Sequence, residues 1–494
     1  MKRIIPLALL AAAALVAAGL LLAERNPADH YTEHPKAWAA FTEGDRLLQS
    51  FRYAEAEAKL KEALAADPDL ALAHAALAEL RFRQAMREDG KRELALADSL
   101  TALVEDPRSR LLVQVRLSNT GPSRFFASRD SLLAEAKKVA PDDLIVLVSE
   151  AVQAAAGGDM ARAETVWQHV LEINPNYAGA YNFLGYLYLA QGRYDEAEAA
   201  MRRYAFVAPD LANPHDSLGE VLMTVGRYEE AEVEFRTALA KQPDFFHSLV
   251  NIGRIYILRG EVDKANTLFD RVRTEMAGTA WSSEIAVRRL HDLFDHRIED
   301  DLATYAAQFL AEAPESVYAP YVRLWRALGA GEATTAVALL DSLQSVYESS
   351  DWYANDTMKR NEIAREQLRY RGLISELQGD QAGAAQAFRQ ALELMSDLPP
   401  HAALVERVHL AWNLVPLGGF DEARREIRAA LSVNPRLPEA VLVAAAVEAG
   451  AGETGEARRL LDTLERMLER ADPDFPPLRD AQALRDQLPD PDRI

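Results

Sequence analysis

The sequence predicts an all-α protein organised as an α-solenoid, and three observations support this. Gly185, Gly219 and Gly253 stand 34 residues apart, and a constant period of this length is the signature of stacked repeats. The composition is rich in alanine, leucine, glutamate and arginine, without alternating β-branched runs. At 494 residues the chain is too long for one compact core, whereas each repeat of a solenoid packs only on its neighbours. We expect about a dozen helical hairpins in a right-handed superhelix, after an N-terminal transmembrane or signal helix.

The first element is an uncharged stretch behind a basic start. Ile4–Ala23 holds no charged residue, and twenty helical residues span about 30 Å, the thickness of a bilayer core. Lys2 and Arg3 precede it, and the acidic Glu24 and Asp29 follow. This asymmetry places the amino terminus in the cytoplasm. Residues 1–23 therefore predict an uncleaved anchor in a bacterial-type inner membrane, with the bulk of the chain in the periplasm.

A cleaved signal peptide is the alternative reading of the same stretch. Val16-Ala17-Ala18 or Ala17-Ala18-Gly19 could serve as the recognition site of a signal peptidase. The product would be a soluble periplasmic protein. Both readings export the domain.

A polar tether, residues 24–36, leads into an N-terminal repeat array at 37–275, whose best-matched units are at 144–272. In the copy from Ala178 to Leu211, Tyr181, Leu184 and Tyr188 share one face of a first helix. Gly192 stands between the two helices, where a positive φ favours glycine. Pro209 ends the second helix. In the next copy we expect the small Ala231 to face Gly219 where the two helices cross.

This period and pattern resemble the tetratricopeptide repeat, a helix–turn–helix unit that stacks into a superhelix. The resemblance covers most of Trp38 to Arg470 and is weak from Met276 to Leu343. It implies a concave groove lined by the first helices. Transferred by position, it implies these groove residues: Asn182, Tyr186, Asp216, Glu220, His247, Asn251 and Arg254.

After the best-matched units the period becomes irregular. Residues 276–360 read as degenerate helical repeats with an inserted loop at about 345–361, which contains Trp352 and Tyr353. Exposed aromatic residues in a loop often bind, so this pair is a second candidate site. A C-terminal array follows at 361–470, and residues 471–494 read as a capping helix and tail.

Composition and motifs exclude several functions. The formal net charge of −21 argues against a nucleic-acid partner. The chain has no cysteine, so it offers no disulfide or thiolate ligand. His291 and Asp295 could share a metal ion, but no third ligand accompanies them. Gly450-Ala451-Gly452-Glu453-Thr454-Gly455 matches a dinucleotide fingerprint, but its glycines keep the repeat period. We predict no catalytic residue, no metal site and no cofactor.

These observations favour a non-enzymatic scaffold. Its groove would bind a peptide segment or an envelope protein, and Asp216 and Glu220 favour a segment that carries basic residues. The alternative is an enzyme-associated or sensor subunit with a small-ligand pocket near 276–360. A polar pocket with converging titratable groups would favour that alternative, and a continuous superhelix would favour the scaffold.

Overall fold

A computed structural model describes residues 31–49, 52–84, 86–120, 129–276, 281–349 and 357–489. The predicted anchor at Ile4–Ala23, most of the tether, and both Trp352 and Tyr353 lie outside these ranges. Within them, no helix combines the length and apolar character that crossing a membrane requires.

The described residues form an all-helical solenoid of 25 α-helices. Consecutive helices pair as hairpins, α1 with α2 through α23 with α24, and α25 follows the last pair. The helices are α1 Pro35–Gln49, α2 Tyr53–Ala66, α3 Ala71–Arg83, α4 Arg87–Thr101, α5 Pro107–Thr120, α6 Arg129–Val139, α7 Leu144–Ala156, α8 Met160–Ile173, α9 Ala178–Ala190, α10 Tyr194–Val207, α11 Asn213–Thr224, α12 Tyr228–Lys241, α13 Phe246–Leu258, α14 Val262–Glu275, α15 Trp281–Asp295, α16 Glu299–Glu312, α17 Ala319–Gly329, α18 Ala333–Glu348, α19 Thr357–Leu377, α20 Gln381–Glu393, α21 Leu404–Leu414, α22 Phe420–Val433, α23 Pro438–Gly450, α24 Thr454–Met467 and α25 Pro476–Gln487.

The recurring glycines have the two roles that the repeat requires. Gly192, Gly226 and Gly260 lie in the turn within a hairpin at φ between 72° and 79°, a conformation that L side chains rarely adopt. Gly219 lies in a first helix, where a Cβ atom would be 2.6 Å from the ring of Phe235. The ring of Phe235 therefore packs against Gly219 at the crossing. Ala231, which was predicted to lie in the core at this crossing, is fully buried.

The chain divides into two compact units, and the boundary falls within α9. Unit 1, Met1–Leu184, contains the hairpins from α1 to α8. An apolar core extends through its first five helices, with Leu48, Leu60 and Leu80 fully buried, and a smaller cluster joins α5, α6 and α7. Unit 2, Gly185–Ile494, contains the remaining hairpins and α25.

Unit 2 has a contact that ordinary stacking of neighbouring hairpins does not provide, which we call the seam. It joins the turns at Gly192, Gly226, Gly260 and Arg297 to segments near its carboxyl end. The Tyr194 hydroxyl accepts a hydrogen bond from the His401 backbone N–H at 3.1 Å, and the Tyr228 hydroxyl accepts one from the Asn434 side chain at 2.9 Å. The Gly192 turn contacts Pro400–His401, and the Gly226 turn contacts Asn434–Arg436. The Gly260 turn contacts Ala471–Phe475. The turn at Arg297 contacts Glu439 and Asp480.

The third and fourth turns of the seam hold the chain that follows α24. The Asp472 backbone N–H donates to the Gly260 carbonyl oxygen at 2.8 Å, and Phe475, 2% exposed, packs over Gly260. Arg297 adopts φ +57°, the only positive value at a described residue other than glycine. Its guanidinium donates to Asp480 Oδ2 at 2.6 Å. Arg297 thus takes a conformation unfavourable for an L residue by roughly 1–2 kcal/mol and forms this cross-link from it.

Residues 276–360, whose sequence departs from the repeat period, contain regular helical hairpins. Two complete hairpins, α15–α16 and α17–α18, fall in 276–360. Helix α18 extends to Glu348 and α19 begins at Thr357, so helix covers much of the range 345–361 that was predicted as an inserted loop. The extra residues lengthen α19 to 21 residues, against 13 in α9. The period had been lost because Arg297, the turn residue of α15–α16, lies 37 residues after Gly260 and is not a glycine.

Candidate partner-binding surface

Six of the seven predicted groove residues lie on the first helices of unit 2, and they fall into exposed and buried groups. Tyr186, on α9, is 37% exposed. Its hydroxyl donates to Glu220 Oε2 at 2.7 Å and approaches Ser217 Oγ at 3.1 Å. Tyr186 and Glu220 therefore form a hydrogen-bonded pair that connects α9 to α11 at the surface. Asn182, the seventh residue, is half-buried in the part of α9 that belongs to unit 1.

Two of the predicted contact residues are buried. Asp216 is 5% exposed and Asn251 is 3% exposed, so neither offers an open contact surface. The Ser248 hydroxyl donates to Asp216 Oδ1 at 2.6 Å. Burial raises the pKa of the Asp216 carboxyl to about 7, and the nearby Glu220 carboxylate adds to the shift. Asp216 therefore lies beneath the surface, where it accepts a hydrogen bond from Ser248 on the next first helix.

The remaining two groove residues lie on α13. His247 is exposed. Arg254 is half-buried, and its Nε donates to Asp292 Oδ1 at 3.2 Å, which connects α13 to α15. Asp292 is 8% exposed, and among the described residues its Oδ2 has no hydrogen-bond partner. Arg254 is therefore the counter-ion of a buried carboxylate as well as a surface group.

Beyond Arg254, the first helices of unit 2 enclose a cavity of about 280 Å³. Its walls combine apolar side chains with charged side chains from six helices and from the α15–α16 turn. The apolar group includes the partly exposed Trp412 (42%) and Leu377 (43%). The lining residues are Phe294, Asp295, His296, Arg297, Glu299, Leu302, Leu328, Gly329, Arg369, Leu373, Glu376, Leu377, Val408, His409, Trp412, Glu439, Leu442, Val443, Pro476, Pro477 and Asp480.

Four acid–base pairs stand in the cavity wall: Asp295 with Arg369, His296 with Glu439, Arg297 with Asp480, and His409 with Glu376.

Neighbouring carboxylates favour the charged forms of the two histidines. Burial alone would lower the pKa of His296, but the Glu439 carboxylate, 2.7 Å from its Nδ1, raises it to about 9. Burial likewise opposes the charged form of His409, but Glu376 at 2.9 Å raises its pKa above the ordinary value. His296 is therefore a cation at neutral pH, and Glu376 favours the charged form of His409.

Sequence reasoning missed most of this cavity. The alternative hypothesis placed a pocket near 276–360, whereas the greater part of the lining comes from α19, α21, α23 and α25. The signal was present in one position, because Arg297 precedes Gly331 by one 34-residue period. Recognition of Arg297 as a turn residue would have placed α15 in phase with the other first helices.

The other motifs have structural roles. The apolar run before Gly450 is helix α23, and Gly452 is the left-handed turn of a hairpin, so this motif is not a nucleotide-binding loop. His291 Nδ1 lies 3.4 Å from Asp295 Oδ2, while Asp295 also pairs with Arg369. Among the described residues, no group of three potential ligands could hold a metal ion.

Comparisons with known proteins agree with the repeat geometry. Family models of the tetratricopeptide repeat match residues 154–217, 217–278 and 409–474. No curated protein matches the chain. Three solved structures are similar at low identity. A tetratricopeptide repeat protein from Parabacteroides merdae has a TM-score of 0.40 at 17% identity, and the match covers 50% of this chain and 91% of that one.

The other two structures match over a longer part of the chain. Yeast Tom70 has a TM-score of 0.39 at 15% identity, with coverage of 91% and 96%. The Cut9–Hcn1 hetero-tetramer of the APC/C has a TM-score of 0.41 at 12% identity, with coverage of 91% and 83%. The family models, together with a helical hairpin at every repeat position described above, show that the chain is a tetratricopeptide repeat protein, with no closer family assignment.

Proposed function

We propose that this chain is a non-enzymatic scaffold that binds a segment of a partner protein along the first helices of unit 2. The observation that carries the proposal is the pair formed by Tyr186 and Glu220, which is accessible and already fixed by its own hydrogen bond. A fixed contact surface loses little side-chain entropy on binding. Tetratricopeptide repeat proteins commonly bind protein partners, and tyrosine is over-represented among residues that dominate interface energies.

The proposed segment carries a lysine or arginine side chain at this position. Glu220 is a half-buried carboxylate at the surface, and the buried Asp216 beside it adds negative potential when it is ionised. Attraction between such groups and a cationic side chain weakens with added salt. Binding should therefore fall as the salt concentration rises.

The test is affinity capture from membranes with the detergent-solubilised full chain. The test variant combines Tyr186→Phe with Glu220→Gln, which removes the hydroxyl and the charge and keeps both shapes. Capture should weaken about tenfold, as expected for the loss of a charged hydrogen-bonding contact. The matched control combines Phe206→Ala with Val233→Ala, two side chains on second helices that are 71% and 61% exposed.

Arg254 is unsuitable for this test because its truncation would leave Asp292 without its counter-ion. Equal capture by the test and control variants would refute the groove. If deletion of Trp352 and Tyr353 then abolished capture, the partner site would lie in that segment, which remains the second candidate.

We also propose that Ile4–Ala23 anchors the exported chain in the inner membrane. Its support is the uncharged span behind Lys2 and Arg3. A reporter fused after Ile494 should be active outside the cytoplasm, and the full chain should resist carbonate extraction. A shortened chain in the soluble periplasm would establish the cleaved form instead.

The cavity supports a second candidate function, a sensor or enzyme-associated subunit that binds a small molecule. The cavity contains converging titratable groups, which favour a small-ligand pocket over a scaffold without one. These groups are Asp295, His296, Glu376, His409 and Glu439. If a free metabolite bound there and changed partner capture, the sensor function would be preferred to a scaffold alone.

A further inference from the structure

Among the described residues, eight of the nine titratable side chains that line the cavity form ion pairs before any ligand is considered, and the ninth, Glu299, is exposed. Asp295, Glu376, Glu439 and Asp480 each pair with a basic side chain that also lines the cavity. A ligand with a full charge would have to compete with one of these pairs. Bringing a charge into such a site costs desolvation free energy, and the lining carboxylate outside these pairs, Glu299, is exposed to water, which screens its attraction for a cation. The cavity therefore selects against a strongly charged occupant.

Most of the remaining wall is apolar, and part of it is accessible. Trp412 and Leu377 are both more than 40% exposed although they line a concave site. Leu373 on α19, and Leu442 and Val443 on α23, continue the apolar wall on either side of α21. Covering such side chains removes apolar area from water, which is the main favourable contribution in most binding sites. This wall fits an apolar side chain.

Two polar atoms of the lining residues are unsatisfied. Among the residues that the structure describes, Glu439 Oε2 and Arg369 Nε are buried without a hydrogen-bond partner. One is an acceptor and the other is a donor. A single residue of a peptide offers the matching groups, because its backbone carries one N–H donor and one C=O acceptor. Both groups are neutral, so neither has to displace a partner from the four ion pairs.

We propose that the cavity is a subsite for one apolar residue of the bound segment, with its side chain against Trp412 and Leu377 and its peptide groups near Glu439 and Arg369. This inference rests on the proposed function and adds the chemistry of a second anchor. The partner segment would carry a basic residue for Glu220 and an apolar residue for the cavity.

The experiment uses the full chain in mild detergent and capped tripeptides, acetyl-Ala-X-Ala-amide, measured by isothermal titration and by saturation-transfer NMR. The tripeptide with X as leucine should bind at least about tenfold more tightly than those with serine, lysine or glutamate, because only leucine buries apolar area without a charge. Tighter binding of the lysine or glutamate peptide would overturn the apolar subsite.

Variants test where the peptide binds. Trp412→Ala should weaken binding of the leucine peptide about tenfold, since the loss of a large apolar wall removes much of the buried area. Leu377→Ala provides a second, smaller change in the same wall. Leu417→Ala is the matched control, because Leu417 is 50% exposed and does not line the cavity. Binding that is the same in all three variants would place the peptide elsewhere and refute the subsite.

Two further outcomes separate this inference from the proposed function. If no tripeptide binds, and partner capture still depends on Tyr186 and Glu220, the subsite is refuted and the scaffold is not. If free leucine binds the cavity as tightly as the capped tripeptide, a peptide occupant is refuted and the small-ligand candidate takes its place.

Discussion

Unit 2 contains two sets of four hairpin turns that have the same backbone conformation and different surroundings. A Cβ atom at Gly192 would be 2.6 Å from the Pro400 ring, and Cβ atoms at Gly226 and Gly260 would also overlap later residues. Arg297 completes this set, which belongs to the seam. At Gly331, Gly379, Gly418 and Gly452 nothing described lies within 4 Å. Backbone conformation alone explains the second set, whereas the seam glycines are also limited by space.

The comparison shows that one sequence signal can have two physical causes. Each of these glycines adopts the positive φ that the turn of its hairpin requires. Only those of the seam also allow another part of the chain to approach. Substitutions that affect conformation and space separately can distinguish the two causes.

The largest effect is expected from removal of the ring at the third seam turn. Phe475→Ala should destabilise the contact over Gly260 by about 3–5 kcal/mol, because the ring is almost fully buried. Hydrogen exchange in α14 measures this local stability. Phe206→Ala, with a ring that is 71% exposed, should change it by less than about 0.5 kcal/mol. Equal protection of α14 in both variants would show that the seam does not stabilise the turn.

The fourth turn gives the seam a pH dependence. His296 has its pKa raised to about 9 by Glu439, with Asp295 and Asp292 adding to the shift, against about 6.5 when unfolded. The folded state therefore keeps a proton that the unfolded state loses. This stabilisation is complete below about pH 6.5 and is lost as the pH rises through 9.

His296→Gln should remove that pH dependence and reduce stability at pH 6 by at most about 3 kcal/mol. Urea unfolding at pH 6 and pH 9.5 provides the measurement, and His34→Gln, at an exposed histidine, is the control. A parental chain that is equally stable at both pH values would contradict the ionised pair.

Alanine substitution compares the two sets of turns directly. Gly452→Ala should cost about 1 kcal/mol, because only the left-handed conformation is penalised. Gly226→Ala should cost a further 1–3 kcal/mol, roughly the usual cost of overpacking, because its Cβ would overlap the Asn434 side chain. Thermal unfolding of the two variants measures the difference. An equal loss of stability at both positions would mean that the seam residues move away from the added methyl group at no cost in free energy.

The smallest effect concerns the ion pair across the seam. Glu229 and Arg436 are 61% and 33% exposed in their side chains, and water screens such pairs. Arg436→Gln should therefore destabilise unit 2 by less than about 1 kcal/mol, and 1 M salt should remove most of the difference. A much larger loss that persists in high salt would assign Arg436 a packing role on the Tyr228 ring, 5.4 Å away.

The part of the fold that sequence could predict is the part that local physics determines. A glycine at a left-handed turn and a proline after a second helix act within one hairpin, so their period identified Gly192 and Pro209 correctly. The seam joins residues 208 positions apart, such as Gly226 and Asn434, and no local pattern records that contact. The same limit applied to Asp216, which packing buries in a place where the transferred pattern expected an accessible contact.

The seam also makes unit 2 intolerant of changes in the number of its repeats. A solenoid whose hairpins contact only their neighbours can gain or lose one internal hairpin, because the flanking pair can stack again. In unit 2, Gly192 meets Pro400 and Gly226 meets Asn434 at one constant separation. Deletion of a single hairpin between α12 and α20 would shift every later segment by one position against the turns it must meet. Repeat number in this part of the chain is therefore fixed by ring closure, as in a closed barrel, and duplication or loss of one repeat would be counter-selected there.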